Sequence, residues 1–294
     1  MDLSVVILTY NEAVHIERCI ESARRVSDKI YVVDSYSTDG TQELARDAGA
    51  MVVEHDYVNQ SQQMQWAIEN LGLGSEWVMR IDADEYLTDR LVEEIKGRLP
   101  QLPANVTGVY LPFDVIFQGK NVKHGRLRAP KILRIWRRGT AYMEQRWMDE
   151  RLVLTEGSAV AFKGRFVDHN LNSLSWWTAK HNNYSNRELA VEAIRMYGLG
   201  AEDEALKGRN QKKGIYYRLP AFFRAGVYFS VRYFLFGGFL DGKAGLMWAT
   251  LQAYWYRFLI DAKISEMKRE LGKAPTSEQV KAYFKTRYNM DLDF

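Results

Sequence analysis

The chain has 294 residues, which is enough for one large domain, or for a domain with a substantial extension, around a core without disulfides. Hydrophobic residues make up 47% and charged residues 26% of the sequence, a balance that excludes disordered and low-complexity classes. The net charge of +3 is too weak to indicate a nucleic-acid partner, so we expect none.

The single cysteine, Cys19, excludes an intrachain disulfide framework and a multi-cysteine zinc site. The amino-terminal residues show no basic leader and no small-residue cleavage site before the first apolar run. Both observations favour a protein that stays in a reducing compartment, and we therefore expect a cytoplasmic location.

The first hundred residues alternate between short apolar runs and amphipathic stretches. The runs predict strands at 4–9, 30–33, 51–54 and 77–81. Apolar residues at helical spacing predict helices between them, one of which spans 41–48 and stops at Gly49. This order predicts an α/β fold with a mostly parallel, Rossmann-like sheet, whose ligands bind beyond the carboxyl ends of the strands.

The pattern changes after the first hundred residues. Two further strands are predicted at 109–117 and 131–136, and from about residue 175 the sequence becomes helical. Between 216 and 259 it is dense in Phe, Tyr and Trp with Arg interspersed. We therefore predict an α/β domain at 1–174 and a helical, aromatic-rich extension at 175–294.

Two acidic residues, Asp82 and Asp84, directly follow the fourth predicted strand. Carboxylates separated by one residue at a strand end can both turn toward a hard divalent cation, which prefers oxygen ligands and leaves positions open for phosphate oxygens. The alternative is an acidic turn that caps the following helix. The tripeptide alone does not decide between them.

The segment 34–41 (DSYSTDGT) also follows a strand and opens a helix. Its hydroxyl and carboxylate groups can cap that helix or bind a base or ribose, and Gly40 permits an unusual backbone turn. An ordinary strand-loop-helix junction is the alternative. A dinucleotide-binding domain is disfavoured, because the segment after the first strand, 9–13 (TYNEA), lacks glycine.

Three segments together, 4–12 (SVVILTYNE), 32–41 (VVDSYSTDGT) and 81–85 (IDADE), resemble the family 2 glycosyltransferases of the GT-A fold. Two later segments, 131–138 (KILRIWRR) and 238–242 (GFLDG), resemble the bacterial subgroup that includes lipopolysaccharide core β-glucosyltransferases. The resemblance implies an inverting enzyme that uses a nucleotide sugar, usually a uridine diphosphate sugar, with Mg²⁺ or Mn²⁺.

The resemblance also implies roles for individual residues. Asp84 falls at the metal position, with Asp82 at the ribose and metal positions and His169 as a further metal or diphosphate ligand. The base that deprotonates the acceptor hydroxyl is expected at Glu150 or Asp149. Many family members carry an acidic residue where this chain has Ser35, which leaves the base of the nucleotide open. The nucleotide-sugar site would comprise Thr9, Tyr10, Glu12, Asp34, Ser35 and Asp82.

The aromatic and basic segment 216–259 suits a helix at a membrane interface, although it could equally form a core against the rest of the chain. No apolar run reaches the length that spans a bilayer. We expect peripheral attachment to the cytoplasmic face of the inner membrane and, from the resemblance, a saccharide or lipid-linked saccharide acceptor. The alternatives are a polyprenyl-phosphate glycosyl synthase and a non-catalytic membrane-surface scaffold of the same fold.

Overall fold

The computed structural model describes residues 2–125, 131–144, 151–199, 216, 218–292 and 294. The chain divides into two compact units. The first comprises Met1–Asn121 and Arg128–Asn172, and the second comprises Val122–Leu127 and Ser173–Phe294. The short excursion at Val122–Leu127 belongs to the second unit although the first unit surrounds it in sequence.

The first unit alternates strands and helices through its first hundred residues. The helices are α1 (Ile16–Arg24), α2 (Thr41–Asp47), α3 (Gln60–Asn70) and α4 (Asp89–Arg98), followed by a 3₁₀ turn at Leu99–Gln101. The described strands are β1 (Leu3–Thr9), β2 (Lys29–Asp34), β3 (Met51–Glu54), β4 (Trp77–Asp82), β5 (Glu85–Leu87), β6 (Val106–Phe117), β7 (Lys120–Asn121), β8 (Lys131–Arg137), β9 (Ala141–Met143), β10 (Leu152–Leu154), β11 (Ser158–Ala161) and β12 (Phe166–Asp168). The predicted α/β alternation is confirmed.

The main sheet has the strand order β3-β2-β1-β4-β8-β6-β12-β5 among the described residues. Strands β3, β2, β1 and β4 are parallel, β8 is antiparallel to both β4 and β6, and β12 joins β6 in parallel. The chain adds β2 and β3 on one side of β1 and then returns to add β4 on the other. This reversal creates a switch point between β1 and β4, where open α/β sheets bind ligands.

Two apolar layers cover the parallel strands, because successive residues of a strand face opposite sides of the sheet. Val5 and Ile7 of β1 pack with Ile16 and Ile20 of α1 in the larger core, which α2 and α4 also line. Val6 packs on the other side in a second core that contains buried residues of α3. The helices hold the sheet on both faces and leave the carboxyl ends of the strands open.

The second unit is helical in its described residues. It contains α5 (Leu174–Tyr197), α6 (Phe223–Ser230), α7 (Gly242–Trp248), α8 (Tyr256–Leu271) and α9 (Ser277–Tyr288). Helix α6 continues as a π-helical turn at Val231–Leu235, and a second π-helical segment, Ala249–Trp255, joins α7 to α8. The buried ion pair between Arg224 and Asp261 links the two arms of the resulting hairpin. The predicted helical extension is therefore present.

Candidate active site

The three segments singled out in the sequence meet at one edge of the sheet. In the register of the parallel strands, Thr9 lies beside Asp34 and Leu8 lies beside Asp82. The loops that follow β1, β2 and β4 therefore start side by side at the switch point. The acidic turn does not cap a helix, because β5 comes between it and α4, whose cap is the side chain of Thr88.

Asp34 is completely buried and organises the loops around it. Oδ2 accepts hydrogen bonds from the hydroxyls of Thr9 (2.7 Å) and Ser37 (2.6 Å). Oδ1 accepts from the backbone N–H of Ser37 (2.7 Å) and from the side-chain amide of Gln42 (2.8 Å). These four bonds use all four lone-pair positions of a carboxylate, so Asp34 holds the surrounding loops in place.

The loop after β1 and the loop after β2 are fastened to each other. Asn11 and Tyr36, one in each loop, adopt positive φ angles of 55° and 60°, which non-glycine residues seldom do. Their neighbours fix these backbones through four side-chain bonds: Asn11 N to Ser37 Oγ (2.8 Å), Thr38 N to Asn11 Oδ1 (2.9 Å), Glu12 N to Thr41 Oγ1 (2.8 Å) and Ala13 N to Asp39 Oδ2 (3.0 Å). Such ordered, strained loops are typical of ligand sites.

The predicted nucleotide-site residues differ in what they present at this edge. Tyr10 is 61% exposed, and Tyr36, which was not predicted as a site residue, is 50% exposed; their rings offer apolar faces beside the ordered loops. Ser35 is nearly buried, and its hydroxyl accepts a hydrogen bond from Gln63 (3.2 Å). The structure thus brings exposed aromatic rings and buried polar anchors to the same pair of loops.

Glu12 is held by a histidine that the sequence reasoning missed. His15 is buried and its Nδ1 lies 2.6 Å from Oε2 of Glu12, while its Nε2 lies 2.8 Å from the backbone nitrogen of Leu171. A backbone N–H can only donate, so Nε2 accepts and the ring proton is on Nδ1, which donates to Glu12. The neutral ring therefore ties the loop after β1 to the segment after β12.

Asp82 lies between two arginines. Oδ1 accepts from Nε and Nη2 of Arg80, both at 3.1 Å, and Oδ2 accepts from Nη2 of Arg134 at 3.0 Å. Burial raises the pKa of Asp82, but Arg134 and then Arg80 outweigh it and hold the pKa far below its usual range. Asp82, whose side chain is 28% exposed, is therefore ionised, with two cations compensating its charge.

Arg134 is buried and also binds Glu85, whose Oε1 lies 2.6 Å from Nη2 of the guanidinium. Oε2 of Glu85 accepts the backbone N–H of Asp82 at 2.9 Å, which fixes the start of the acidic turn. Burial raises the pKa of Glu85 well above its usual range, and the attraction of Arg134 offsets only part of that shift. Arg134 is therefore the counter-ion of two carboxylates in the structure.

Asp84 and His169 are neighbours through their backbones, because His169 N donates to Asp84 O at 3.0 Å. The side chain of Asn170 donates to Oδ2 of Asp84 at 3.0 Å. Arg18, another residue that the sequence reasoning missed, donates to the carbonyl oxygens of Asp84 (3.1 Å) and His169 (2.7 Å). The pairing of β12 with β5 thus brings together two candidate ligands that are 85 positions apart in the sequence.

The imidazole of His169 is neutral in this setting. Burial lowers its pKa, and the charge of Arg18 lowers it further. Nη1 of Arg18 lies 3.3 Å from Nδ1 of His169, so Nδ1 accepts and the ring proton is on Nε2. Coordination of a metal through Nε2 would require that proton to move, whereas the carboxylate of Asp84 can ligate as it stands.

The two candidate bases, Asp149 and Glu150, fall in 145–150, outside the described residues. No local pattern pointed to His15 or Arg18 as parts of the site, because each contacts residues more than 60 positions away in the sequence. The position of Arg18 three residues after His15, on the same side of α1 as His15, could have drawn attention to it, since α1 opens beside the switch point.

The profile of the family described as "Glycosyl transferase family 2" matches residues 4–189, which is more than half of the chain. The chain belongs to this family. The predicted resemblance is therefore confirmed, and with it the general activity, which is transfer of a sugar from a nucleotide-sugar donor.

Two relatives extend along almost the whole of this glycosyltransferase. An uncharacterized glycosyltransferase of Rickettsia bellii (strain RML369-C) is 29% identical over 96% of this chain and 92% of its own length. LpsC of Rhizobium meliloti (strain 1021), a lipopolysaccharide core biosynthesis glycosyltransferase, is 27% identical over 90% of this chain and 92% of its own. Bacterial polysaccharide synthesis is thus represented among its relatives.

A solved structure supports the fold. The mannosyltransferase PcManGT from Pyrobaculum calidifontis, in complex with GDP-Man and Mn²⁺, superposes with a TM-score of 0.52 at 17% identity, covering 91% of this chain and 88% of that one. At this identity the likeness concerns the fold alone. The predicted GT-A fold is confirmed.

In this glycosyltransferase, Asp84 and His169 offer few protein ligands to a divalent metal. Oδ1 of Asp84 accepts no hydrogen bond from the described residues, and the neutral ring of His169 is adjacent. The described residues form no group of three or more His, Cys, Asp or Glu able to hold a metal. The donor set therefore fits Mg²⁺ or Mn²⁺ only where phosphate oxygens and water complete the coordination, as is usual for Mg²⁺.

Proposed function

We propose that this glycosyltransferase moves a sugar, with inversion, from a uridine diphosphate sugar to a hydroxyl of a saccharide that is being assembled into bacterial lipopolysaccharide, capsule or lipid-linked oligosaccharide. The observation that carries the proposal is the adjacency of Asp84 and His169 beside the fastened loops after β1 and β2. The likeness to LpsC over nine-tenths of both chains supports the acceptor class.

In the proposed mechanism the loops after β1 and β2 hold the nucleoside. Tyr10 and Tyr36 offer rings beside which a base can lie, and Asp34 keeps the backbone around them in its strained form. Asp82, ionised and partly exposed, accepts ribose hydroxyls. These residues orient the donor and account for most of its affinity.

Asp84, with His169, would hold the metal, which when bound neutralises the charge of the departing diphosphate. Arg18 positions this pair by holding both of their carbonyl oxygens. Asp149 or Glu150 takes the proton of the acceptor hydroxyl as it attacks the anomeric carbon from the face opposite the diphosphate, which leaves with the bonding electrons. The single displacement inverts the anomeric configuration.

The metal assignment is tested with Asp84→Ala. We expect the affinity for uridine diphosphate in the presence of Mn²⁺ to fall by at least about 100-fold, since even groups one step removed from a metal commonly contribute 10- to 100-fold. Isothermal titration calorimetry measures it. Asp89→Ala is the matched control, because Asp89 is an exposed aspartate of the same unit that pairs with Arg25. Equal affinities in both variants would refute the assignment.

The base assignment is tested with Glu150→Gln and Asp149→Asn. Loss of a positioned base should lower transfer by about 10²-fold or more while nucleotide affinity is retained. Nuclear magnetic resonance of the product reports whether the anomeric configuration inverts. If both amides keep near-normal transfer, an acceptor that needs no base, such as the lipid phosphate used by a polyprenyl-phosphate glycosyl synthase, replaces the saccharide hydroxyl.

The proposed class of acceptor also implies where in the cell the enzyme acts. A lipid-carried saccharide is presented at the cytoplasmic face of the inner membrane, so we propose that the enzyme attaches there peripherally. No helix that the structure describes has the length and hydropathy to cross a bilayer. A catalytically silent scaffold would attach in the same way, and hydrolysis of a nucleotide sugar by the wild-type chain but not by Asp84→Ala distinguishes the enzyme from it.

A further inference from the structure

The two arms of the helical hairpin in the second unit are joined by a well-packed turn. A 3₁₀ turn at Gly238–Asp241 joins the end of Val231–Leu235 to α7. A Cβ placed on Gly245 would lie 2.1 Å from the carbonyl oxygen of Gly238, so the turn rests directly on the helix backbone. This close approach fixes where the side chains of the turn point.

The excursion Val122–Leu127 braces the same turn. The carboxylate of Asp241 accepts the backbone N–H of His124 and lies 2.8 Å from its Nδ1. Gly125 donates its N–H to the carbonyl oxygen of Phe236 at 2.9 Å, and Arg232 donates to the carbonyl oxygen of Gly125 at 2.6 Å. The turn is therefore an ordered part of the unit.

This ordered turn exposes large apolar side chains. Phe234 and Leu235 are 59% and 78% exposed, and Phe239 and Leu240 are 48% and 59% exposed. Leu246 and Met247, one turn further along, are also exposed. Scattered apolar residues on a surface are ordinary, but a cluster on a braced turn marks an interaction surface.

Ring contacts extend the cluster along the hairpin. Phe222 lies 5.1 Å from Phe258 between ring centroids, Phe258 lies 5.8 Å from Tyr254, and Tyr254 lies 6.5 Å from Phe229. Phe229 in turn lies 6.3 Å from Phe234. These five rings form one continuous row, of which all but Phe229 are exposed. We call this row together with Leu235, Phe239 and Leu240 the aromatic stripe.

The exposed charged residues described near the aromatic stripe in the sequence are positive. Residues 216–260 include five cations, Arg218, Arg224, Arg232, Lys243 and Arg257, and a single acidic residue, Asp241. Asp241 is buried on His124, and Arg224 is buried on Asp261. Arg218 and Lys243 are exposed and make no salt bridge within the described residues. Among the residues of 216–260 that the structure describes, the exposed charges are therefore cationic and none is a carboxylate.

We propose that the aromatic stripe inserts into the headgroup region of an anionic phospholipid bilayer. Aromatic rings are favoured at headgroup depth, and border cations are attracted to anionic lipid by about 1 kcal/mol each. A second copy of the chain fits the surface less well, because a symmetric dimer would bring two cationic borders together. This inference specifies which surface makes the proposed membrane attachment. It rests on the proposed function, because the attachment would keep the enzyme at the membrane that carries its acceptor.

The first experiment is sedimentation of the full chain with vesicles of phosphatidylglycerol and phosphatidylcholine. The wild-type chain should pellet with these vesicles and be partly released by salt, and it should pellet less with phosphatidylcholine alone. The triple variant Phe234→Ser, Leu235→Ser, Leu240→Ser should lower the partition coefficient by at least about tenfold, which corresponds to about 1.4 kcal/mol. The double variant Met51→Ser, Val58→Ser is the control, because it removes exposed apolar residues of the first unit.

The second experiment reports insertion itself. The single native cysteine, Cys19, is buried, so a cysteine introduced by Leu235→Cys can be labelled selectively with an environment-sensitive fluorophore. Anionic vesicles should shift its emission to the blue, and the same label introduced by Val58→Cys should not respond. The proposal is overturned if anionic vesicles do not change the emission of the label at position 235, or if the triple variant pellets like the wild type.

The outcomes separate this inference from the proposed function. Asp84→Ala should still pellet with vesicles, and the triple variant should still bind uridine diphosphate with Mn²⁺, which also shows that it folds. If vesicle binding fails while transfer to a soluble saccharide persists, only the stripe inference falls; if transfer fails while vesicle binding persists, only the proposed function falls. Lipid-free ultracentrifugation that finds a dimer abolished by the triple variant would assign the stripe to a second copy and overturn the proposal.

Discussion

Replacing Arg134 with methionine removes the guanidinium that Asp82 and Glu85 share. The side chain of Arg134 is 6% exposed, and its Nη2 bonds both carboxylates, at 3.0 and 2.6 Å. Methionine is similarly long and keeps apolar contact with Phe166, over whose ring Arg134 now lies. The substitution therefore tests the charge more than the packing.

The expected cost follows from what each carboxylate retains. Asp82 is 28% exposed on its side chain and keeps its bonds from Arg80, so it loses little. Glu85 is 6% exposed and keeps only the backbone N–H of Asp82. Breaking a buried pair by removing one partner typically costs 3–5 kcal/mol, and we expect about 3 kcal/mol here, mainly from Glu85. Adding Glu85→Gln should recover at least about half of that, because it removes the stranded charge.

Hydrogen exchange on peptides that cover β4 and β8 measures the local free energy of opening. This readout does not require the two units to unfold together. Arg138→Met is the matched control, because Arg138 is exposed near the end of the same strand and its loss should cost no more than about 0.5 kcal/mol. The reasoning is refuted if Arg134→Met costs no more than the control, or if Glu85→Gln brings no recovery.

Three further variants probe other parts of the structure. Asp34→Asn should weaken nucleotide binding by about tenfold or more in calorimetry, since an amide cannot accept all four hydrogen bonds, each worth about 1 kcal/mol; unchanged affinity would contradict its loop-shaping role. Burial lowers the pKa of His181 to about 4, below the value of 6.5 in an unfolded chain, so stability is lost as the pH falls from 6.5 toward 4. His181→Gln should remove about 1.5 kcal/mol of this loss, half of the full effect because the ring is partly exposed, and an unaltered pH dependence of thermal unfolding would argue against it. Gly245→Val should destabilise the hairpin turn by about 2 kcal/mol and reduce vesicle binding, because its Cβ would strike the Gly238 carbonyl, and an unshifted melting temperature would exclude that contact.

The sequence allowed prediction of the features that depend on local pattern. Strands β1, β2 and β4 are apolar runs, and the polar segments that follow them lie at one edge because parallel strands share their direction. Other features were missed because they are too short for periodicity to register: β5 and β12 have three residues each, yet their pairing brings His169 to Asp84.

Partners distant in sequence could not be predicted from one sequence. Arg134 reaches Asp82 across 52 positions and His15 reaches Leu171 across 156, and no local pattern specifies either pair. The aromatic segment posed another problem. Its rings are so dense that periodicity does not distinguish a half-buried Phe229 from an exposed Phe234, and packing decides between them.

The spacing of these links has a consequence for how the protein forms during synthesis. The loops after β1 and β2 are fastened by residues no more than 29 positions apart, so they can close soon after β2 leaves the ribosome. The bond from Arg134 to Glu85 and the bond from Asn170 to Asp84 can form only after those later residues have been synthesised. A chain released before β8 therefore carries a formed pair of loops beside an acidic turn in which Glu85 still lacks its cation. Truncated chains of this kind should open at β4 first, which makes the acidic turn the last part of the site to mature.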